Sequence, residues 1–406
     1  MADQESSNAT VTIDHADDLS SLVRDCVERQ QPIVDYGIAH AHLGYPPPPR
    51  HVRLVQRGAV IEHYDRDMTL RAAAGATMGE LNEHLRSRNQ FLPIDADSDL
   101  TLGEVICHNV YGPLRATYGA IRDLLLGLRY VDGLGRQIHV GGRTVKNVAG
   151  YDLSRFMVGS LGQFGVVYEA TIRTYSIPHR VFCVELQFND ATVVDALLGE
   201  WLLTDAAPGW MLLKMTEDGA IVRLGYFGRA TACEVQVRAL ESMLCGRDDV
   251  QIMGTDRRSL GDDADQRGAR RRWRREATGL CKVIVPPACT GALCKALSQW
   301  AADHALINVD ALPVHGCVFA GGTIDGDFAL AMDQQINQLI DRVGGRRVWY
   351  RRPEPVDAID PYGPAGPDLS ILGALKHTMD PNDLLNPGRF VRPLPGPLLG
   401  SQEELV

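Results

Sequence analysis

The chain has 406 residues, more than one ordinary domain holds, so at least two domains are expected. Its 45% hydrophobic and 23% charged content is typical of a globular protein, and its net charge of −10 argues against nucleic-acid binding through phosphate neutralisation. The sequence contains no apolar run long enough to cross a bilayer, and its polar start, MADQESSNAT, does not have the form of a signal peptide. We therefore expect neither a transmembrane segment nor a cleaved leader.

The nine cysteines are scattered and include no Cys-x-x-Cys pair. This pattern favours free thiols in a reducing cytoplasm over a disulfide framework. The tightest group, Cys281, Cys289 and Cys294, has spacings that fit neither a ferredoxin cluster nor a zinc ribbon. We predict no metal site and no iron–sulfur cluster on this chain.

The first 178 residues predict an α+β unit with many strands and few long helices. Leucines, valines and a cysteine at helical spacing predict a helix over residues 17–29, with the Asp17-Asp18 pair as its cap. Thr77 and Glu80 form a capping box before a second helix. The remaining predicted elements are strands at 32–35, 51–56, 59–62 and 70–74, a hairpin of 125–131 with 136–140, a short helix at 152–157 and a strand at 165–177.

Three segments are rich in glycine: residues 36–44, 111–119 and 146–167. Glycine clusters let backbone N–H groups converge on a phosphate. The best candidate is Gly159-Ser-Leu-Gly-Gln-Phe-Gly165, where the predicted order is helix, glycines, strand; turn geometry alone explains these glycines equally well. The dinucleotide fingerprint needs the opposite order, and Walker A, zincin and Gly-x-Ser-x-Gly motifs do not occur.

The string GGRTVKNVAGYDLSRFMVGSLGQFGVVYEATIRTYSIP resembles the flavin domain of the vanillyl-alcohol-oxidase/p-cresol-methylhydroxylase superfamily. More narrowly, KNVAGYD followed by Gly-Ser-x-Gly-x-x-Gly-Val is similar to the FAD-binding E subunit of glycolate oxidase. The tail, with Asp380-Pro381 and Asn386-Pro-Gly-Arg389, agrees with this branch. The resemblance extends over most of the chain, roughly residues 10–391.

The resemblance implies an α+β fold: a two-subdomain FAD-binding PCMH-type domain at residues 1–178, and an α/β cap domain at 179–363 whose antiparallel sheet is covered by helices. A final segment, 364–406, would return to the FAD domain. Within the cap the sequence predicts two passes of strand, helix, strand, strand, helix. Their predicted bounds are 181–188, 191–203, 210–215, 220–227 and 232–244, then 281–285, 290–302, 308–312, 316–320 and 332–343.

The resemblance also implies which residues contact FAD. They are Gly37, His40, Gly103, Asn109, Gly112, Tyr118, Gly119, Gly159, Ser160, Gly162, Gly165, Val166, Asn386 and Arg389. Two positions depart from the family pattern. Ile38-Ala39-His40 places side chains where bare backbone approaches the diphosphate, and Glu104 places a carboxylate where a second glycine is usual.

Histidines and an arginine provide the candidates for chemistry. His40 and His42 could ligate a metal, or His40 could bond covalently to the flavin, but plain loop histidines are favoured because no further ligand and no preceding Gly-Gly accompany them. His315 in the cap and Arg389 are the candidate catalytic residues. A structural role for His315 and a surface salt bridge for Arg389 are the alternatives.

Residues 267–274 (RGARRRWR) form a basic run that follows three aspartates, which favours a solvated helix or a partner-docking face over a nucleic-acid or lipid site.

Two functions are expected from the resemblance. The first is an FAD-dependent subunit that oxidises a 2-hydroxy acid such as glycolate or lactate and passes electrons to an iron–sulfur subunit, beside a catalytic flavoprotein subunit. The second is a non-catalytic scaffold for that subunit. A cytoplasmic location is expected, where partners can hold the chain against the inner membrane face.

Overall fold

A computed structural model describes residues 9–35, 51–142, 153–258, 272–302, 307–353, 359–363 and 368–389. The strands are β1 (Ala9–Ile13), β2 (Ile33–Val34), β3 (Val52–Gln56), β4 (Val60–Tyr64), β5 (Thr69–Ala73), β6 (Gln90–Phe91), β7 (Leu125–Val131), β8 (Gln137–Gly141), β9 (Val166–Arg173), β10 (Tyr175–Ser176), β11 (Arg180–Phe188), β12 (Trp210–Thr216), β13 (Gly219–Gly228), β14 (Val250–Arg258), β15 (Gly279–Ile284), β16 (Ile307–Leu312), β17 (Cys317–Gly322) and β18 (Arg346–Arg351). The helices are α1 (Ala16–Arg29), α2 (Met78–Arg86), α3 (Leu102–Cys107), α4 (Arg115–Tyr118), α5 (Ile121–Leu124), α6 (Leu153–Phe156), α7 (Thr192–Leu202), α8 (Ala230–Leu244), α9 (Arg272–Glu276), α10 (Thr290–Ala301), α11 (Gly326–Val343) and α12 (Asp368–Met379).

The amino-terminal part contains a small parallel sheet and a larger antiparallel one. The parallel sheet has the order β1-β3-β2, and the antiparallel sheet has the order β4-β5-β9-β7-β8. Helix α1 covers the small sheet through Leu19, Val23 and Cys26, which pack with Val52 and Leu54 of β3. Strands β7 and β8 pair antiparallel. The helix predicted over residues 17–29 and the hairpin predicted for 125–131 with 136–140 are therefore confirmed.

The helix starts in this part only partly follow the prediction. The capping box of Thr77 and Glu80 is present at α2, as predicted. The predicted Asp17-Asp18 cap of α1 is wrong: both residues lie in the first turn, where negative charge favours the helix dipole, and the N-cap is His15.

Eight antiparallel strands form the sheet of the cap domain, in the order β14-β11-β13-β12-β16-β17-β15-β18. Both predicted passes of strand, helix, strand, strand, helix are present, and they join where β12 pairs with β16. The α+β class with an antiparallel cap sheet is confirmed. The prediction missed the two edge strands, β14 and β18, because their charged residues interrupt the apolar alternation.

The two faces of this sheet bury different partners. On β12, Met211 and Leu213 pack into the core that contains α7, α8, α10 and α11. The alternate residues, Trp210 and Leu212, pack with Phe91 and Leu114 of the amino-terminal part. The strand period of two thus turns one face toward the helices and the other toward the amino-terminal domain.

The carboxyl-terminal residues return to the amino-terminal part. Leu385 bridges to Ile33, and the buried ammonium of Lys376 lies 2.5 Å from Asp380. Lys376 also donates to the carbonyl oxygens of Gln163 and Leu385, both at 2.9 Å. One buried cation therefore joins α12, the following turn and the segment before β9.

We predict that Lys376→Met strongly destabilises the fold, because it leaves the Asp380 carboxylate buried without its partner. The expected loss is about 3–5 kcal/mol in the free energy of unfolding, measured with urea. Lys295→Met is the matched control, since it removes an ion pair with Asp190 whose side chains are 36% and 35% exposed, and about 1 kcal/mol or less is expected. Equal losses of unfolding free energy in the two variants would contradict the stabilising role assigned to Lys376.

Candidate functional site

A cleft lies between the small parallel sheet and α3. Its cavity has a volume of about 300 Å³. Strand β3 forms one wall, and Gly75 with the first turn of α3 forms the other. The lining residues are Asp35, Arg53, Leu54, Val55, Gln56, Ala74, Gly75, Asp99, Leu100, Thr101, Gly103, Glu104, Cys107, His108 and Val167.

Two carboxyl groups line this cleft. Glu104 accepts hydrogen bonds from the Thr101 amide at 2.8 Å and its hydroxyl at 3.0 Å. This is a second capping box, so Glu104, which stands where the family pattern usually has a second glycine, helps to begin helix α3, and the Thr101 amide is paired within the protein. Burial raises the pKa of Asp35 to about 7; the hydrogen bond from Gln56 opposes the shift and the charge of Glu104 adds to it.

The glycine turn after α6 does not offer its amides to a ligand. Five consecutive N–H groups donate to protein oxygens: Gly159 to Ile106 O, Ser160 to Met157 O, Leu161 to Cys107 O, Gly162 to Ser160 Oγ, and Gln163 to Ser160 O. The prediction that these amides form a diphosphate nest is therefore wrong. The turn is held by its own backbone and by α3.

Backbone conformation and close packing explain why glycine is needed in this turn. Gly162 has φ +69°, and a Cβ there would lie 2.1 Å from Nδ2 of Asn386. Asn386 in turn accepts from the Asp35 amide at 2.7 Å and donates to Leu161 O at 2.9 Å. Gly165 abuts the Tyr130 ring, and Val166 begins β9 in the core. Asn386 thus acts as a clamp between two segments that border the cleft.

The other predicted cofactor residues are distributed between packing roles and the cleft. Gly103 lines the cleft, whereas Gly112 fits against Asp95, and Gly119 has φ +85° at the end of α4. Tyr118 packs its ring edge-on to Phe91 between the domains. The predicted residues Gly37 and His40 lie outside the described residues, as do His42 and the altered Ile38-Ala39.

A second cavity, of about 140 Å³, lies between the domains. We call it the interdomain pocket. Its lining residues are Asp97, Leu100, His108, Asn109, Val110, Tyr111, Arg274, Arg275, Leu280, Lys282, Phe319, Tyr350 and Arg351. Because His108 and Leu100 also line the cleft, the two cavities adjoin.

Lys282 is the most unusual group of the interdomain pocket. It is 9% exposed, and among the described residues no carboxylate lies within 4 Å of its ammonium. Its Nζ lies 3.5 Å from the Tyr350 hydroxyl and 4.5 Å from the centre of the Tyr111 ring. Burial acts to lower the pKa of Lys282, but Tyr350, Cys317 and Tyr111 outweigh it and the pKa is raised. A buried ammonium is therefore retained, and no counter-ion for it occurs in the part of the chain that the structure describes.

The arginines of the pocket have protein partners. Arg274 pairs with buried Asp310, and its guanidinium lies 3.5 Å from the centre of the Phe319 ring. Arg275 binds Asp97 at 2.7 Å and so ties the cap to the amino-terminal domain. Arg351 donates to the main-chain carbonyl oxygens of Arg274, Arg275 and Ala277. The solvated helix predicted for the basic run is wrong at Arg274, which these contacts half-bury; residues 267–271 lie outside the described part.

The two predicted catalytic residues lie away from the cleft and from the interdomain pocket. His315 lies in the turn between β16 and β17, with its ring centroid 6.3 Å from that of Tyr111. Burial lowers the pKa of His315 to about 4, and Arg115 adds to the shift. Arg389 is buried near Tyr362. Neither side chain lines the cleft or the interdomain pocket.

The sequence analysis missed the residues that do line the pocket. Lys282 had a visible signal, since it interrupts the apolar strand GLCKVI on the face of Leu280. His108 follows a short helix and showed no pattern of its own. The convergence of residues near 108, 282 and 350 depends on how the domains pack, which local sequence does not encode.

The amino-terminal part of the chain is similar in sequence to known proteins. Residues 7–141 match the family described as FAD binding domain. Glycolate oxidase subunit GlcE of Escherichia coli is 30% identical over 194 residues, which cover 47% of this chain and 55% of that protein. A mitochondrial D-lactate dehydrogenase [cytochrome] of Arabidopsis thaliana is 32% identical over 186 residues, which cover 44% of this chain and 32% of that protein. The matches therefore span about a third to about half of these relatives' length.

Solved structures share the fold. An alkyldihydroxyacetonephosphate synthase superposes with a TM-score of 0.71 at 17% identity, covering 94% of this chain and 77% of that one. A chitooligosaccharide oxidase gives 0.69 at 16% identity, covering 95% and 92%. These neighbours show the fold alone; the sequence matches confirm the resemblance to the flavoprotein superfamily and support FAD as the cofactor.

The described residues fit FAD in part. Asn109, with φ +49°, buries an Oδ1 that has no hydrogen-bond partner among the described residues, and it lines the pocket where the two cavities adjoin. Such an atom suits an N–H or O–H donor of a ligand. For the diphosphate, the described residues instead present Asp35, Glu104 and a turn whose amides are paired. No group of three or more potential metal ligands, and no helix suited to crossing a membrane, occurs within the described ranges.

We predict that the stability of the ligand-free protein falls as pH rises from about 4 to about 7. Folded Asp35 keeps its proton to about pH 7, whereas an unfolded aspartate loses it near pH 3.9. Between these values the folded state binds more protons, so the free energy of unfolding decreases with pH. Urea unfolding at several pH values should show a flatter profile for Asp35→Asn. The exposed control, Asp341→Asn, should retain the wild-type slope; a wild-type slope in Asp35→Asn as well would refute the assignment.

Proposed function

Because residues 7–141 match an FAD binding domain and part of the chain is similar to a glycolate oxidase subunit and a D-lactate dehydrogenase, we propose that it is an FAD-binding subunit of a 2-hydroxy-acid dehydrogenase. Its substrate is a small 2-hydroxy acid such as glycolate or lactate, bound in the interdomain pocket. Its electrons pass through the flavin to an iron–sulfur partner.

The observation that carries this proposal is the buried ammonium of Lys282, which has no carboxylate partner among the described residues. Buried charges are normally paired, since an isolated buried ion is costly. A carboxylate in the interdomain pocket would supply the missing negative charge, and the hydroxyl groups of Tyr350 and Tyr111 stand beside the ammonium as further polar partners. A small 2-hydroxy acid combines that charge with a hydroxyl group, and the cavity of about 140 Å³ suits a small molecule.

The roles of the chain's own residues follow from their positions. Lys282 binds the carboxylate, Arg274 and Phe319 close the cap side, and Asn109 accepts a hydrogen bond at the junction with the cleft. Bound flavin would supply the acceptor for a hydride from the substrate's α-carbon. The nine cysteines are all free and form no metal-binding group within the described residues, which favours an iron–sulfur cluster on another polypeptide.

A second candidate is a non-catalytic scaffold for a catalytic flavoprotein subunit. It is favoured by the cleft, where Glu104 caps α3, Asp35 adds a second carboxyl and the turn amides from Gly159 onward are already paired. A diphosphate would meet repulsion there.

Cofactor content distinguishes the two candidates. We expect the purified protein to be yellow, to release FAD on denaturation and to lose its flavin absorbance when glycolate or D-lactate is added without oxygen. The measurements are the visible spectrum and chromatography of the released flavin. Colourless protein that takes up no added FAD would refute the first candidate and favour the scaffold.

A charge-removing variant tests the pocket. Lys282→Met should raise the Kd of oxalate, a planar analogue of a 2-hydroxy acid, by about 10- to 100-fold, because it removes a charged hydrogen-bond donor worth about 1.5–3 kcal/mol. The Kd is measured through the change that oxalate causes in the bound flavin spectrum. Lys295→Met, at a surface ion pair of the cap, should leave it unchanged. Oxalate affinity that survives in Lys282→Met would place the carboxylate elsewhere.

A further inference from the structure

Two histidines face each other on the amino-terminal domain, where strand β4 lies beside helix α2. Nδ1 of His63, in β4, lies 3.2 Å from Nε2 of His84, in α2, and the two ring centroids are 5.1 Å apart. The residues are 21 positions apart in the chain, so no local sequence motif indicates the pair. Neither residue lines the cleft or the interdomain pocket. The pair is therefore a feature that the proposed function does not use.

A buried glutamine determines which nitrogen of His63 carries the lone pair. The side chain of Gln90, which is 4% exposed, donates through Nε2 to the main-chain carbonyl oxygen of Asp65 at 2.8 Å. Its Oε1 accepts from the Thr174 hydroxyl at 2.6 Å and lies 3.2 Å from Nε2 of His63. Because Oε1 can only accept, Nε2 of His63 is the donor. In the neutral ring the lone pair is therefore on Nδ1, which faces His84.

His84 can present a second lone pair to the same point. Its side chain is exposed, so the ring can turn without disturbing the core. Partial desolvation lowers the pKa of His84, and His63 and Arg88 add to the shift, so the ring is neutral at pH 7. In one tautomer Nε2 of His84 donates its proton to His63. In the other tautomer the proton is on Nδ1 of His84, and two lone pairs face the space between the rings.

The separation of the two nitrogens suits a shared transition-metal ion. Zn²⁺ binds imidazole nitrogen at about 2.0–2.1 Å, and two such bonds to nitrogens 3.2 Å apart enclose an angle of about 100°, close to the tetrahedral value. Imidazole ligands suit ions such as Zn²⁺, Cu²⁺ and Ni²⁺, whereas Mg²⁺ and Ca²⁺ prefer oxygen. Gln90 supplies the hydrogen bond to the outer nitrogen of His63 that metal-binding histidines normally have.

We propose that His63 and His84 bind one Zn²⁺ ion, through Nδ1 and Nε2 respectively, with water completing the coordination. No third histidine, cysteine, aspartate or glutamate joins the pair within the ranges that the structure describes. On binding, the proton of His84 moves from Nε2 to Nδ1, so no net proton is released. The ion links β4 to α2, and the site requires neither FAD nor a hydroxy acid.

The binding test is a calorimetric titration of metal-free protein with zinc chloride at neutral pH. His63→Gln and His84→Gln should each raise the Kd of the site by at least about 10- to 100-fold, since even the loss of an outer-shell partner has an effect of that size. His139→Gln, at an exposed histidine of β8, is the matched control and should keep the wild-type Kd. Circular dichroism checks that the variants keep the fold; His84 is exposed, so its variant is the decisive one.

Zinc binding that His84→Gln retains with wild-type affinity would belong to other groups of the chain, such as its free cysteines, and would overturn the proposal. The outcome does not depend on the proposed function, because neither flavin content nor turnover enters the measurement.

Nitrogen-15 NMR of histidine-labelled protein identifies the ligand atoms. Without metal, the neutral His63 ring should be protonated at Nε2. Zinc should shift Nδ1 of His63 and Nε2 of His84, leave both nitrogens of His139 unchanged, and lose its effect when EDTA is added. A neutral His63 ring protonated at Nδ1, or zinc that shifts neither of the two facing nitrogens, would overturn the assignment.

Discussion

The buried ammonium of Lys282 requires a negative charge that the described part of the chain does not supply. The constraint arises because β15 turns Lys282 toward the amino-terminal domain while its neighbours Cys281 and Val283 point into the helix-covered core. The same sheet face buries Trp210 and Leu212 against that domain. The packing that stabilises the domain contact therefore also encloses a cation, and a buried charge is normally paired with an opposite charge.

The carboxyl-terminal residues connect the chain segments that border the cleft. Lys376 and Asn386 each connect the last turn to the segment of Leu161 and Gln163, and Asn386 also binds the backbone of Asp35. The family motif around Asn386 is thus explained by main-chain hydrogen bonds between distant segments. Its contribution to a cofactor site is to fix the walls of the cleft.

Local patterns predicted most of the fold and little of the site. The helix of residues 17–29, the Thr77 capping box and both passes of the cap follow from periodicity and capping chemistry, which neighbouring residues encode. The Gly159 turn failed as a site because a glycine cluster does not reveal whether its amides find partners elsewhere, here on Ile106 and Cys107. Lys282 and His108 are distant in sequence, so only the domain contact brings them to one pocket.

The two adjoining cavities differ in charge, and this difference determines which of them favours an anion. The cleft carries the carboxyl groups of Asp35 and Glu104, whereas the interdomain pocket carries Lys282 and Arg351 without carboxylate partners among the described residues. A small anion is repelled from the first and attracted to the second. For the 2-hydroxy acid of the proposed function, this difference in charge favours a carboxylate in the interdomain pocket over one in the cleft.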